Sequence, residues 1–121
     1  MTIYQRMAAI FDAAGIPGFL QEWRATDEYP EIPEKYCTYL LEQETDAMCA
    51  DDVELVHAYR IWIDAYGQTD LSTELQSLTQ ALDAAGFCIP FMRDMDNLRL
   101  SRYQYHRRLR VDYYAYLSEE D

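Results

Sequence analysis

The run VELVHAYRIWIDAY at residues 53–66 limits what this chain can fold into more than any other stretch. Val53, Leu55, His57, Tyr59, Ile61, Ile63 and Ala65 occupy one phase of a period-two alternation. Side chains of a strand point alternately to opposite faces, so the pattern predicts a long strand over 53–66 with one face toward a core. A second apolar stripe, of different period, follows at once. Leu71, Leu75, Leu78, Leu82 and Ala85 recur at helical spacing before Gly86, which predicts a helix over 71–85 with Asp70 as its cap. Two such stripes in one small domain must bury against each other. Leu55, Tyr59, Ile61 and Ile63 are therefore expected to pack on Leu75, Leu78 and Leu82.

Around this unit the remaining elements fall into place. Ile3, Met7, Ile10, Phe11 and Ala14 mark an amphipathic helix over 2–14, with Thr2 as a possible cap and Gly15 and Pro17 as its stop. Residues 16–35 hold Pro17, Pro30 and Pro33 and the acids Asp27, Glu28, Glu31 and Glu34. Proline removes backbone donors, so a long connection is expected here, with a short helical turn at 19–23. Trp23 within it is either a satellite of the core or an exposed anchor. Residues 36–42 suit a pleated surface and predict a short strand, and the polar stretch 44–52 predicts a projecting hairpin loop. A weaker strand over 87–95 is interrupted by Pro90, which points to a bulge or an edge. Asp96 and Asn97 offer a turn, the last strand runs over 103–117, and residues 118–121 read as a frayed tail. The expected fold is a single α+β domain over residues 1–121, of αββαββ order, with helix 2–14, loop 16–35 and a sheet-and-helix body over 36–117.

Composition narrows the function classes. The chain has 121 residues, enough for one core without staples. Half of them are apolar and Tyr alone occurs 11 times, which excludes a disordered chain. Charged residues interrupt every apolar run, so no transmembrane helix is expected, and the N-terminus lacks the pattern of a secretory signal. Cys37, Cys49 and Cys88 are an odd number without a CxxC spacing, as expected of free thiols in a reducing compartment. The net charge of −12 is uneven: residues 1–92 carry 16 acids and 4 bases, whereas residues 93–110 carry 6 arginines and 2 acids. Such an acidic surface repels nucleic acid and anionic membranes at long range. The arginine segment, with Arg102, Arg107, Arg108 and Arg110, suits either a solvated face or an acidic patch on a partner, including another copy of the chain.

No residue group has the spacing of a reaction centre. His57 and His106 are the only histidines, and no HxxxH or HExxH spacing accompanies them. His57 lies in the apolar phase of its strand, as a hydrogen-bonded core histidine would. A pairing of one of the cysteines with a histidine has no local signature. Asp46, Asp51, Asp52 and Glu54 lack the spacing of a calcium loop and read as a solvated acidic hairpin, and the four glycines sit at element ends rather than in a phosphate loop. RYQYHRRLR at 102–110 mixes Arg and Tyr as single-strand binders do, but the pleat places Arg108 and Arg110 on one face and Arg107 on the other. Met48, with Asp51 and Asp52 at the hairpin tip, suits an adaptable partner contact. No catalytic, metal or cofactor residue is therefore expected.

The segments PEIPEKYCTYLLEQ, MCADDVELVHAYRIWIDAYGQTDLSTELQSLTQALDAAGF and RLRVDYYAYL together resemble the small tail-terminator, or tail-completion, proteins of long-tailed bacteriophages. The resemblance runs from about Ile16 to Leu117. Tyr36, Tyr39 and Leu40 after the prolines, Ala50-Asp51-Asp52 at the hairpin entry, and the passage from the strand through Gly67, Thr69 and Asp70 to Ala85-Gly86-Phe87 carry it. It implies a four-stranded antiparallel sheet packed on helices and a homo-oligomeric ring, commonly sixfold, that caps the tail tube. It also implies a virion protein of the tail and neck, without catalysis or cofactor. Its partners would be the tube protein and the neck or head-completion protein, with genomic DNA passing through the lumen unbound. The long acidic loop at 24–35 departs from the family pattern. The same element order also suits a different class, an intracellular ferredoxin-like module that binds a ligand or regulator.

Overall fold

The first helix, α1 (Ile3–Ala14), starts at a capping box. The Thr2 hydroxyl accepts the Gln5 N–H at 3.1 Å, and the Gln5 side chain accepts the Thr2 N–H at 2.8 Å, so two otherwise orphaned donors are satisfied. Gly15 ends it at φ 73°, a left-handed conformation in which its N–H reaches the Phe11 and Asp12 carbonyls. The computed structural model describes residues 1–50, 53–95 and 102–116, and the side chains of all of these except 47–50 and 53–55.

Five strands and a second helix follow: β1 (Gly18–Leu20), β2 (Lys35–Ala50), β3 (Val53–Gly67), α2 (Ser72–Ala84), β4 (Cys88–Asp94) and β5 (Tyr105–Tyr116). They form one mixed sheet in the order β1-β2-β3-β5-β4, with β1 parallel to β2 and every other pair antiparallel. The α+β class is as expected, but the sheet has five strands rather than four, is not purely antiparallel, and the order is αβββαββ. The extra strand occupies 18–20, where a helical turn was expected. Pro17 there needs no donor: its carbonyl accepts the Cys37 N–H at 2.7 Å, and Gln21 at φ 68° turns the chain away after three residues. Gly18 lets this strand cross α1 closely, since a Cβ at that position would stand 2.2 Å from the Phe11 ring.

The hairpin is also different from its expected form. Residues 44–50 are strand rather than loop, so β2 extends eight residues beyond the end expected at residue 42. Successive shifts of register between Leu41 and Gln43, Asp46 and Met48, and Met48 and Cys49 accommodate it. Val56 pairs with Tyr116, the last described residue of β5. Asp51 and Asp52, the Asp96–Asn97 turn and the 118–121 tail lie outside the described residues. The final strand begins at Tyr105 rather than at residue 103. Asp70 holds the start of α2 from one position further out than expected: its carboxylate accepts the Ser72 N–H at 3.0 Å and the Ser72 hydroxyl at 2.7 Å, with Leu71 at the cap.

Alternation then decides where the core sits. Cys37 and Tyr39 of β2, Ile61, Ile63 and Ala65 of β3, and Leu109 and Val111 of β5 share one sheet face. They form a single cluster with Met7, Ile10 and Phe11 of α1 and Leu78 and Leu82 of α2. Tyr59 and Leu75 pack against its margin, as expected, while the Leu55 side chain is not described. Both helices therefore cover the same face.

Candidate interaction surface

The other face of the sheet carries the opposite phase of the same strands. Register places Thr38, Leu40 and Gln43 of β2 beside Asp64, Trp62 and Arg60 of β3, and these beside Arg108, Arg110 and Asp112 of β5. Phe91 and Arg93 of β4 continue the rows next to Arg110 and Arg108. At one end the connection between β1 and β2 folds over this face. Phe19 and Tyr29 meet edge to face at 5.9 Å, Phe19 reaches Tyr36 at 6.2 Å, and the Tyr103 hydroxyl donates to the Pro33 carbonyl at 2.6 Å. Burial, with Tyr66 and Tyr103 close by, pushes the Tyr36 phenol up to about 12. From Trp62 outward, no described helix covers the face.

Two ionic clusters order it. Asp64 accepts from His106 Nε2 and from Arg108 Nε, both at 2.8 Å. Burial works to raise its pKa, but these two hydrogen bonds and the neighbouring positive charge outweigh burial and hold the carboxyl below its ordinary value of 3.8. His106 in turn stacks on Tyr66 at 4.4 Å. In the second cluster Asp112 lies between Arg60 at 3.6 Å and Arg110 at 3.4 Å. Trp62 joins the two, with Arg108 5.5 Å over its ring and Phe91 edge-on at 5.6 Å. Arg, Trp and aromatic residues packed together in this way are the groups that dominate protein–protein contacts.

Of the residues singled out in the sequence, Arg108 and Arg110 meet on this face, as the pleat requires. Arg107 points to the helix side, where it pairs with Asp94 at 3.0 Å and, with Asp70, Ser72 and Leu75, lines a cavity of about 320 Å³ beside the start of α2. Arg102 is exposed ahead of β5. Met48 lies in the hairpin backbone away from all of these, so the expected contact residues form two regions rather than one site. His57 is not a core histidine. It sits half-buried on the hairpin, with Nε2 3.1 Å from Glu44 and Nδ1 3.5 Å from Asp46. Trp23 is half-buried, between its two expected placements.

Sequence reasoning did not single out Arg60, Trp62, Phe91 and Arg93, and named Leu40 only within the family resemblance. The signal was present in the phase opposite to the core residues of 53–66, where Arg60, Trp62 and Asp64 alternate with Ile61 and Ile63.

The two described thiols, Cys37 and Cys88, play no visible part here. Cys37 is buried on the core face, and burial, with Asp64 nearby, raises its pKa well above the ordinary thiol range, so it stays protonated and unreactive. Cys88 is a free, exposed thiol on β4. Among the described residues no three His, Cys, Asp or Glu side chains come together as a metal site, and no helix is long and apolar enough to cross a membrane. Compared with known proteins, the chain matches no family model, and no curated protein emerges as a relative.

Proposed function

We propose that the chain is a structural virion protein of a long-tailed bacteriophage, a ring former that terminates the tail tube and joins it to the head. The observation that carries this reading is the open sheet face, where arginines and large aromatics stand together in a chain of net charge −12. A mainly antiparallel sheet can leave its second face in water, but arginines and large aromatics gathered there are the groups that suit a contact with copies or partners. The sequence resemblance to tail-terminator proteins supports the assignment of that surface to ring assembly. The long β2–β3 hairpin supplies an arm for the tube or the neck, with Met48 in its backbone and Asp51 and Asp52 next in the sequence after β2. The acidic remainder of the surface suits a lumen through which DNA passes without adhering.

Mass measurement and electron microscopy of the purified protein, alone and with tail tubes, test the proposal. Closed rings, or rings seated on tube ends, are expected. A monomer at every concentration that also fails to bind tubes overturns it. In a complementation assay, replacing residues 49–55, which lie between the paired Met48 and Val56, by a two-residue turn shortens both arms together and should leave the subunit folded but give tubes of uncontrolled length or tails without heads.

A second reading, a ferredoxin-like module that binds a small ligand or regulator, draws on the cavity beside α2, which with Arg107, Asp70 and Ser72 has the size and polar lining of a small-molecule site. A stable monomer that binds a metabolite there would favour it.

A further inference from the structure

Among the described residues the open face carries four arginines, Arg60, Arg93, Arg108 and Arg110, against two carboxylates, Asp64 and Asp112. Arg93 stands directly opposite Arg108 in the β4–β5 register, and like charges so placed disfavour strand pairing unless an acid lies between them. Asp112 is shared by Arg60 and Arg110, and Arg60 Nε, Arg110 Nε and Asp112 Oδ1 are all buried without a hydrogen-bond partner, so this cluster is loosely paired. Arg60 and Arg110 thus share Asp112, Arg108 pairs with Asp64, and Arg93 adds a fourth positive charge to the same face beside the Trp62–Phe91 pair. A partner that fits brings carboxylates together with an apolar side chain on an extended backbone.

The chain itself presents such a segment. Residues 28–34 read Glu-Tyr-Pro-Glu-Ile-Pro-Glu and carry neither helix nor strand, and Glu28, Glu31, Ile32 and Glu34 are exposed. Two prolines restrict its backbone, and two hydrogen bonds hold it in place, from the Tyr103 hydroxyl to the Pro33 carbonyl and from the Gln68 N–H to the Glu34 carbonyl at 3.0 Å. Preorganisation of this kind lowers the ordering cost of docking. We infer that the open sheet face of one copy binds the acidic, proline-containing segment 28–34 of a second copy, with Glu31 and Glu34 toward the arginines and Ile32 toward Trp62 and Phe91. The inference rests on the self-assembly reading above and names the contact that would make it.

Complementary charge reversal tests it. Arg93→Glu reverses an exposed position on the face, and Glu31→Arg with Glu34→Arg reverses the segment. Each variant, checked for an unchanged melting curve, should weaken self-association in sedimentation by about tenfold or more, the size of a lost charge-assisted contact. Mixing the two variants should restore it, because each then offers the surface that the other lacks. Should Arg93→Glu lower the melting point, Glu31→Arg/Glu34→Arg alone must still weaken association, and synthetic peptide 26–34 must compete with the wild-type contact. If the wild-type protein assembles and the reversals change nothing, this contact is wrong while the ring reading stands. If the reversals weaken assembly but the mixture does not restore it, the two surfaces do not meet. Assemblies that stop at pairs governed by this contact would uphold it and overturn the ring, and a wild-type monomer at all concentrations overturns both. Tight binding of a labelled single-stranded oligonucleotide, abolished by Arg93→Glu, would assign the face to nucleic acid instead and overturn the inference.

Discussion

The two faces of the sheet are built from the same strands, one residue apart, and follow opposite rules. On the helix side Ile61, Ile63, Leu109 and Val111 are almost fully buried, and among the described residues no charge from β3 or β5 enters the cluster they form with Met7, Leu78 and Leu82. On the open side Trp62, Asp64, Arg108 and Arg110 lie in register as a layer of rings and ion pairs, half-buried by one another. The first face is held by the removal of apolar surface from water, which needs no partner beyond the chain. The second is held by directional contacts of low net value in water, whose strength rises when a partner excludes solvent. The difference teaches that one face specifies the fold; on the function proposed above, the other serves assembly. Substitutions should therefore separate into those that unfold the subunit and those that only free it from its neighbours.

The largest effect belongs to the helix side. Leu78 is 1% exposed, and Leu78→Ala should cost about 2–5 kcal/mol in denaturant unfolding. A loss below about 0.5 kcal/mol, typical of a surface site, would break the assignment of this face as the core.

The next tests the ionic layer where it is least exposed. Asp64→Asn removes the carboxylate that His106 and Arg108 share and should cost about 1–2 kcal/mol near neutral pH. The folded Asp64 carboxyl titrates below its unfolded value, so its contribution is complete above about pH 4 and is lost as pH falls through the lowered folded pKa. Melting curves of the wild type should thus decline more steeply below pH 4 than those of Asp64→Asn. Equal slopes would show that the Asp64 cluster adds nothing to the fold.

The smallest effect on folding is expected at the outer margin. Tyr114 on the open side is 44% exposed, and Tyr114→Ser should change subunit stability by no more than about 0.5 kcal/mol. A larger loss in thermal unfolding of the monomer would mean that the open face is part of the core after all.

Much of the helix side was legible in the residues. Alternation over 53–66 and the leucine spacing over 71–85 place Ile61, Ile63, Leu78 and Leu82 correctly, because burial imposes a period on the sequence. Where burial does not act, the sequence misleads. The polar stretch 44–50 is a strand because its backbone pairs with β3, and a ribbon beyond the helices needs no apolar face. Gly18–Leu20 is too short for any period, and its parallel partner lies 19 positions further on, at Cys37 to Tyr39. The open face was half visible. Arg108 and Arg110 were placed on one side by the pleat alone, but Trp62 and Phe91 come beside them only through the β4–β5–β3 register, which no local pattern encodes.

The central claim is that the open face is covered by assembly while the helix side is covered by the subunit itself. Hydroxyl-radical footprinting across a dilution series from assembly to monomer tests it most directly. Trp62, Phe91 and Tyr114 should be protected in the assembly and become labelled on dilution, while Ile63 and Leu78 stay protected throughout. If Trp62 and Phe91 are labelled equally in the assembled and the monomeric protein, the open face is solvated and the account is wrong.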